Sequence, residues 1–255
     1  MSRVDPGAAR LALVLVLALA ASATAAAAAE DEPRWEWSIT PYVWATDIGE
    51  DLKLDGDVVG GDDTAFSDLV DKIESSLQLH FEGVRDRWGM FADLSYVEVS
   101  DSGEGEFGIV RLDADIEEQV LEGGAIYRPA GGARNVDVLF GVRYLSVDED
   151  YRLTGGEQEP LRRSIDEDYV DALVGVRYHV PFADRWVVSL KGDVSAGGTD
   201  LTWTTQALVG WQFGARRQSG IFVGYRHRAM EYGKTDRFDI EKTLSGFGVA
   251  VKIGF

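Results

Sequence analysis

From Thr243 to Phe255 the chain reads Thr-Leu-Ser-Gly-Phe-Gly-Val-Ala-Val-Lys-Ile-Gly-Phe. Side chains alternate across a strand. Phe247, Val249, Val251, Ile253 and Phe255 therefore share one face, and Gly246, Gly248, Ala250, Lys252 and Gly254 share the other. A large apolar face backed by small or polar residues, closing on an aromatic, is the pattern of the last strand of an outer-membrane barrel. In a soluble sheet the same terminal Phe would fray into water.

The N-terminal segment points to the same compartment. Arg3 and Arg10 precede an apolar run from Leu11 to Ala20, and an alanine-rich stretch to Ala29 offers small-residue cleavage sites. The pattern predicts a cleaved signal peptide over 1–29 and a single barrel domain over 30–255. The run is too short for a membrane-spanning helix, which needs roughly 20 apolar residues. Loss of Arg3, Asp5 and Arg10 takes the net charge of −19 to −20. Such acidity argues against nucleic acid as a partner, and against simple electrostatic docking on anionic lipopolysaccharide unless divalent cations mediate. With no Cys in the chain, disulfides and lipidation through an N-terminal cysteine are excluded.

Downstream of Trp35 the sequence predicts a closed antiparallel transmembrane β-barrel. It reads as about ten strands: 35–48, 75–85, 88–100, 114–128, 135–148, 165–180, 186–197, 201–214, 220–232 and 239–255. Eight is the alternative, should one hairpin project beyond the membrane. Tight turns at Asp86-Arg87, Pro129–Arg134, Pro181–Arg185 and Ala215–Ser219 alternate with mostly longer acidic connections at 49–74, 101–113, 149–164, 198–200 and 233–238. Trp35, Trp37, Trp88, Trp186, Trp211 and Phe255, with Trp203, Tyr96 and Tyr169 toward the opposite edge, predict aromatic girdles at the two lipid–water boundaries. A soluble lipocalin-like barrel is the competing architecture, but its apolar face would be mainly branched aliphatics.

The polar face of that alternation places Glu82, Asp93, Asp137, Arg143, Asp171, Arg177, Lys191, Asp193, Arg226, Arg228 and Lys252 in the lumen, with His80 and His179. Charges in a narrow interior must be paired or hydrated. In the paired reading Arg143, Arg177 and Arg226 meet Asp137, Asp171, Asp93 and Glu82 and fill the barrel. In the hydrated reading a narrow path admits small polar or cationic solutes. Phe66, Leu69, Val70 and Ile73 recur at helical spacing behind Ser67, a candidate N-cap. They predict one or two helical turns forming a plug or rim cover.

Asp148-Glu149-Asp150, Asp166-Glu167-Asp168, Asp55, Asp57, Asp62 and Asp63 read as an acidic rim, partly neutralised by Arg152, Arg162 and Arg163. The rim could bridge to lipopolysaccharide phosphates through divalent cations, but no metal-binding motif with the required spacing occurs. No cofactor and no catalytic constellation are expected; His80 with Glu82 is the one pair worth testing for hydrolysis.

One stretch carries a resemblance. Trp37-Ser38-Ile39-Thr40-Pro41-Tyr42-Val43-Trp44-Ala45, Phe66-Ser67-Asp68-Leu69, His80-Phe81-Glu82-Gly83, Arg87-Trp88-Gly89 and Asp93-Leu94-Ser95-Tyr96 resemble a widespread family of uncharacterised Gram-negative outer-membrane β-barrel proteins. The resemblance implies a barrel and a surface location, and no chemistry. The resulting expectation is a structural or surface barrel with a charge-paired lumen, or else a porin-like narrow channel. Its expected partners are outer-membrane lipid, lipopolysaccharide and, through the strand ending at Phe255, the barrel-assembly machinery.

Overall fold

The computed structural model describes residues 34–54, 57–69, 72–104, 110–130, 135–155, 161–235 and 238–255. The expected leader over 1–29 lies outside them. The strands are β1 (Glu36–Leu54), β2 (Asp57–Thr64), β3 (Ile73–Arg85), β4 (Trp88–Glu104), β5 (Val110–Tyr127), β6 (Val136–Gly155), β7 (Leu161–Pro181), β8 (Trp186–Gly197), β9 (Leu201–Phe213), β10 (Ser219–Thr235) and β11 (Phe238–Gly254). One short helix, α1, spans Phe66–Leu69. Sequence neighbours pair antiparallel from β3 through β11, and β11 returns to pair with β1 from Ser38↔Gly254 to Leu54↔Phe238. The ladder closes. Ten strands form the wall, and β2 sits above β3 along the same edge of β1.

That shared edge is split. β1 pairs with β3 over Glu36–Pro41 and with β2 over Ile48–Leu54. Between them, from Tyr42 to Asp47, neither ladder runs among the described residues. The Gln78 side chain bridges the break, its Oε1 accepting from the Trp44 backbone N–H at 2.8 Å. The Asp47 carboxylate holds the start of α1 by accepting from the Phe66 N–H at 2.7 Å. On the opposite edge, the β1–β11 register skips Thr40 and Pro41, where proline has no N–H to offer.

The start of β1, the end of β11 and the β3–β4, β7–β8 and β9–β10 turns lie at one end, here called lower. The turns include Asp86 and Arg217 at positive φ. At the upper end the strands run on where the sequence suggested loops. β4–β5 remain paired to Glu104↔Arg111, β6–β7 to Leu153↔Leu161 and β10–β11 to Thr235↔Phe238. The apolar alternation fades there because both faces meet water, while the backbone ladder continues. A 20-residue strand such as β6 extends ~66 Å along its axis. Tilted by ~40° it stands ~50 Å tall, about twice the apolar band of ~25 Å. The upper wall therefore projects well beyond that band.

The apolar face points outward. Val43 and Phe247 are 63% and 69% exposed, and Val142, Val170, Val174 and Val249 are all more than half exposed. A water-soluble barrel could not display such a continuous band. The interior holds two apolar clusters: Val84, Phe91, Ile126, Leu139 and Leu173 toward the lower end, and Trp44, Val120, Leu145, Val147, Met230 and Leu244 toward the upper. The charged site lies between them.

Candidate functional site in the barrel lumen

Strand parity aims one set of charged side chains inward, and barrel tilt decides which of them meet. Glu122 on β5 is the hub. Its Oε1 accepts from Arg143 Nε on β6 at 2.9 Å and from Arg228 Nη2 on β10 at 2.9 Å, and Lys191 Nζ on β8 lies 3.7 Å from Oε2. Arg143 also donates to Asp193 Oδ1 at 2.6 Å and Ser195 Oγ at 2.8 Å, and Lys191 Nζ lies 3.0 Å from Asp193 Oδ2. Arg143, Glu122 and Asp193 are almost completely buried.

A second cluster adjoins the first toward the lower end. Arg177 donates to Glu82 at 2.6 and 3.1 Å and to Asp137 at 2.7 Å, and Arg128 reaches Asp137 Oδ1 at 2.8 Å. His80 lies between Asp93, 2.9 Å from Nδ1, and Glu82, 3.3 Å from Nε2, so both ring nitrogens are engaged. The Tyr42 hydroxyl donates to Asp93 at 2.8 Å. Above both clusters Lys242 pairs with Glu118 at 2.6 Å. Geometry of this kind offsets the cost of burying charge, because these ions lie against opposite charges; Asp193 Oδ2 faces Lys191 without a hydrogen bond.

All eleven charges singled out from the sequence (Glu82, Asp93, Asp137, Arg143, Asp171, Arg177, Lys191, Asp193, Arg226, Arg228 and Lys252) lie on inward parity, but two pairings differ from expectation. Arg143 takes Glu122 and Asp193 rather than Asp171. Asp171 instead accepts from Thr199 N at 2.9 Å, Thr199 Oγ1 at 2.6 Å and Ser195 Oγ at 2.9 Å. It anchors the short β8–β9 turn rather than balancing a cation. Arg226 stacks on aromatic rings rather than on a carboxylate, 5.1 Å from the Tyr42 centroid and 4.9 Å from Trp44.

Glu122, Glu118 and Lys242 were missed from sequence. The signal was present for Glu122, since Leu121, Gly123, Ala125 and Tyr127 mark the opposite, outward face of β5.

The rim helix is shorter than expected. α1 covers Phe66–Leu69, Val70 lies outside the described residues, and Ile73 opens β3 opposite Val99. Ser67 lies inside the helix and donates to the Asp68 carboxylate instead of capping. Four residues are too few for a helix to hold itself, so the β1 contact at Asp47 sets its position.

Among the aromatics, Trp37, Trp88, Trp186, Trp211 and Phe255 ring the lower end. Trp37 stacks on Trp35 at 5.0 Å and on Phe81 at 5.3 Å. Its ring covers Gly83, where a Cβ would stand 2.1 Å from Trp37 Cζ3. Trp88 lies 4.8 Å from Tyr127, and Trp186 pairs with Trp211 across β8–β9. Trp203 lies nearer the upper edge, 4.7 Å from His227, which also faces outward. Tyr169 was expected in the upper girdle. It points inward instead, packing against the upper apolar cluster, because it shares the parity of Asp171 and Leu173.

Above the apolar band, adjacent strands set acidic residues directly opposite one another: Glu98↔Glu117, Glu117↔Asp148 and Asp148↔Asp166. Loss of hydration, with the Asp166 and Asp168 carboxylates close by, pushes the Asp148 carboxyl up from its ordinary value. Hydrogen bonds from Tyr144 and Ser146 hold Asp168 below its own, and Lys72 does the same for Asp101 at 2.7 Å. Arg152 and Arg162 face each other across β6–β7. Among the rim carboxylates named from sequence, Asp57, Asp62 and Asp63 fall on β2, and Asp55 lies outside the described residues. Among the described residues, no cluster of three or more His, Asp or Glu side chains could hold a metal ion.

A closed antiparallel ladder, an apolar exterior between aromatic rings and a charged, filled interior define a transmembrane β-barrel of the outer-membrane kind. The chain is similar in structure to the outer-membrane protease OmpT of Escherichia coli, with a TM-score of 0.49 and 8% identity over 89% of this chain and 99% of that one. It is also similar to the attachment invasion locus protein Ail of Yersinia pestis (TM-score 0.36, 9% identity, 86% and 99% covered). A third similar structure is the outer membrane protein OprG of Pseudomonas aeruginosa (TM-score 0.34, 14% identity, 87% and 97% covered). No family model and no curated protein match the chain.

Proposed function

We propose that this protein is a sealed barrel of the Gram-negative outer membrane with a structural or surface role in the envelope. The observation that carries the proposal is the buried Arg143–Glu122–Arg228 cluster, bonded at 2.9 Å on each side and set between two apolar layers. A ten-stranded barrel is only slightly wider than the eight-stranded kind that side chains fill outright. Guanidinium groups bridging β5, β6, β8 and β10 occupy the space a conducting path would need.

Export through a leader over 1–29, assembly through the strand ending at Phe255, and contact with lipid and lipopolysaccharide belong to the same proposal. It assigns the chain no cofactor and no reaction. The test is single-channel recording in planar bilayers. No conductance steps above background are expected, and stable openings with a cation preference would overturn the proposal in favour of a narrow channel.

A further inference from the structure

The interior is filled unevenly. Along β3 to β6 the lower half is packed by Phe91, Leu139 and Ile126. Against β1, β10 and β11 several inward residues are small, and a cavity of about 160 Å³ remains. It is bordered by Ser38, Gly224, Gly248 and Ala250, with Leu208 and Phe222 at its side. Phe222 folds flat over Gly210, where a Cβ would stand 2.3 Å from its ring, and this keeps the space open. At roughly 10–15 Å³ per water, the cavity has room for at most about 11–16 waters, or for one compact organic molecule.

Its two ends carry cations. Arg226 sits at the upper end beneath Trp44 and Tyr42. Lys252 lines the lower end, near the last β10–β11 pairs at Gly220↔Lys252. Neither forms an ion pair with a carboxylate among the described residues. The carboxylates of the lining, Glu82 and Asp93, are already engaged by Arg177, His80 and Tyr42. Above Arg226 the upper apolar cluster of Trp44, Met230 and Leu244 packs across the lumen.

We infer that this cavity is a binding site for a compact organic carboxylate of about ten non-hydrogen atoms, entering from the periplasm. Arg226 receives the carboxylate at the upper end, where low dielectric and fixed aromatic partners strengthen a charge-assisted bond. Leu208 and Phe222 take the apolar body. Lys252 draws the anion to the mouth. The direction of entry rests on the sealed lumen proposed above; the binding itself does not.

The probe is benzoate, with benzyl alcohol as its neutral counterpart, titrated calorimetrically into the full-length barrel in lipid nanodiscs. Saturable benzoate binding is expected, with benzyl alcohol at least tenfold weaker. Arg226→Met is expected to weaken benzoate by roughly tenfold to a hundredfold. Lys252→Met is expected to weaken it less and to flatten its salt dependence. Ala250→Leu fills the cavity without touching a charge and is expected to abolish binding. Heat-modifiable migration on gels verifies that each variant is folded. The assignment is overturned if folded wild-type barrel fails to bind benzoate, if benzyl alcohol binds equally well, or if Ala250→Leu binds unchanged. Channel recordings report separately on the seal, since benzoate could bind in an open pore as well.

Discussion

Replacing Glu122 by Gln keeps the shape of the hub and removes its charge. In the native barrel three cations converge on this carboxylate: Arg143 and Arg228 at 2.9 Å and Lys191 at 3.7 Å. Arg143 and Lys191 retain Asp193 after the substitution. Arg228 does not. Its other hydrogen bond goes to Thr204 Oγ1 at 3.3 Å, which carries no charge. One buried cation is thus left without its counterion, at a cost of about 3–5 kcal/mol. The Gln oxygen still accepts a hydrogen bond, so ~3 kcal/mol is expected, a factor of about 150 in the unfolding equilibrium. Urea unfolding in phospholipid bilayers, followed by tryptophan fluorescence, measures it. Removing Arg228 as well, as Glu122→Gln with Arg228→Met, should restore most of the loss, because the buried cation then leaves along with its counterion's charge. A Glu122→Gln variant within ~1 kcal/mol of wild type, or strict additivity in the double variant, would refute the paired lumen and require water to screen these groups.

Three further outcomes follow from the same geometry. Asp171→Ala should release the β8–β9 turn by removing three hydrogen bonds, read as faster amide exchange at Thr199 and a global loss of about 2–3 kcal/mol. Gln78→Leu should leave the Trp44 N–H without its acceptor at the β1–β3 split, destabilising by ~1–3 kcal/mol in the same urea assay. Asp148→Asn should slow proteolysis of the β6–β7 hairpin at pH 7, because Asp148 faces Glu117 and Asp166 directly. The Asp148 carboxyl is raised in the folded state, so its unfavourable contribution is present at neutral pH and fades as pH falls through its range. The difference between wild type and Asp148→Asn should therefore shrink by pH 4; a difference that grows instead would reverse the assignment.

Alternation alone determined that this chain is a barrel whose apolar face looks outward, and it placed Arg143, Arg177, Asp137 and Asp193 inside. A period of two is a local property, written in consecutive residues and independent of which strands are neighbours. It also located most tight turns, since Asp86-Arg87 and Pro181–Arg185 break the pattern. It failed where both faces are wet. There β2 and the upper halves of β6 and β7 carry no apolar rhythm, although their backbone ladders persist. Only the closed, tilted wall decided who meets whom across the lumen. Glu122 and Arg228 are 106 residues apart, and their contact depends on stagger and strand tilt, which no single strand encodes. The same geometry left Asp171 to a turn, Arg226 to two aromatic rings, and a cavity beside β10 and β11 where small inward residues from neighbouring strands coincide.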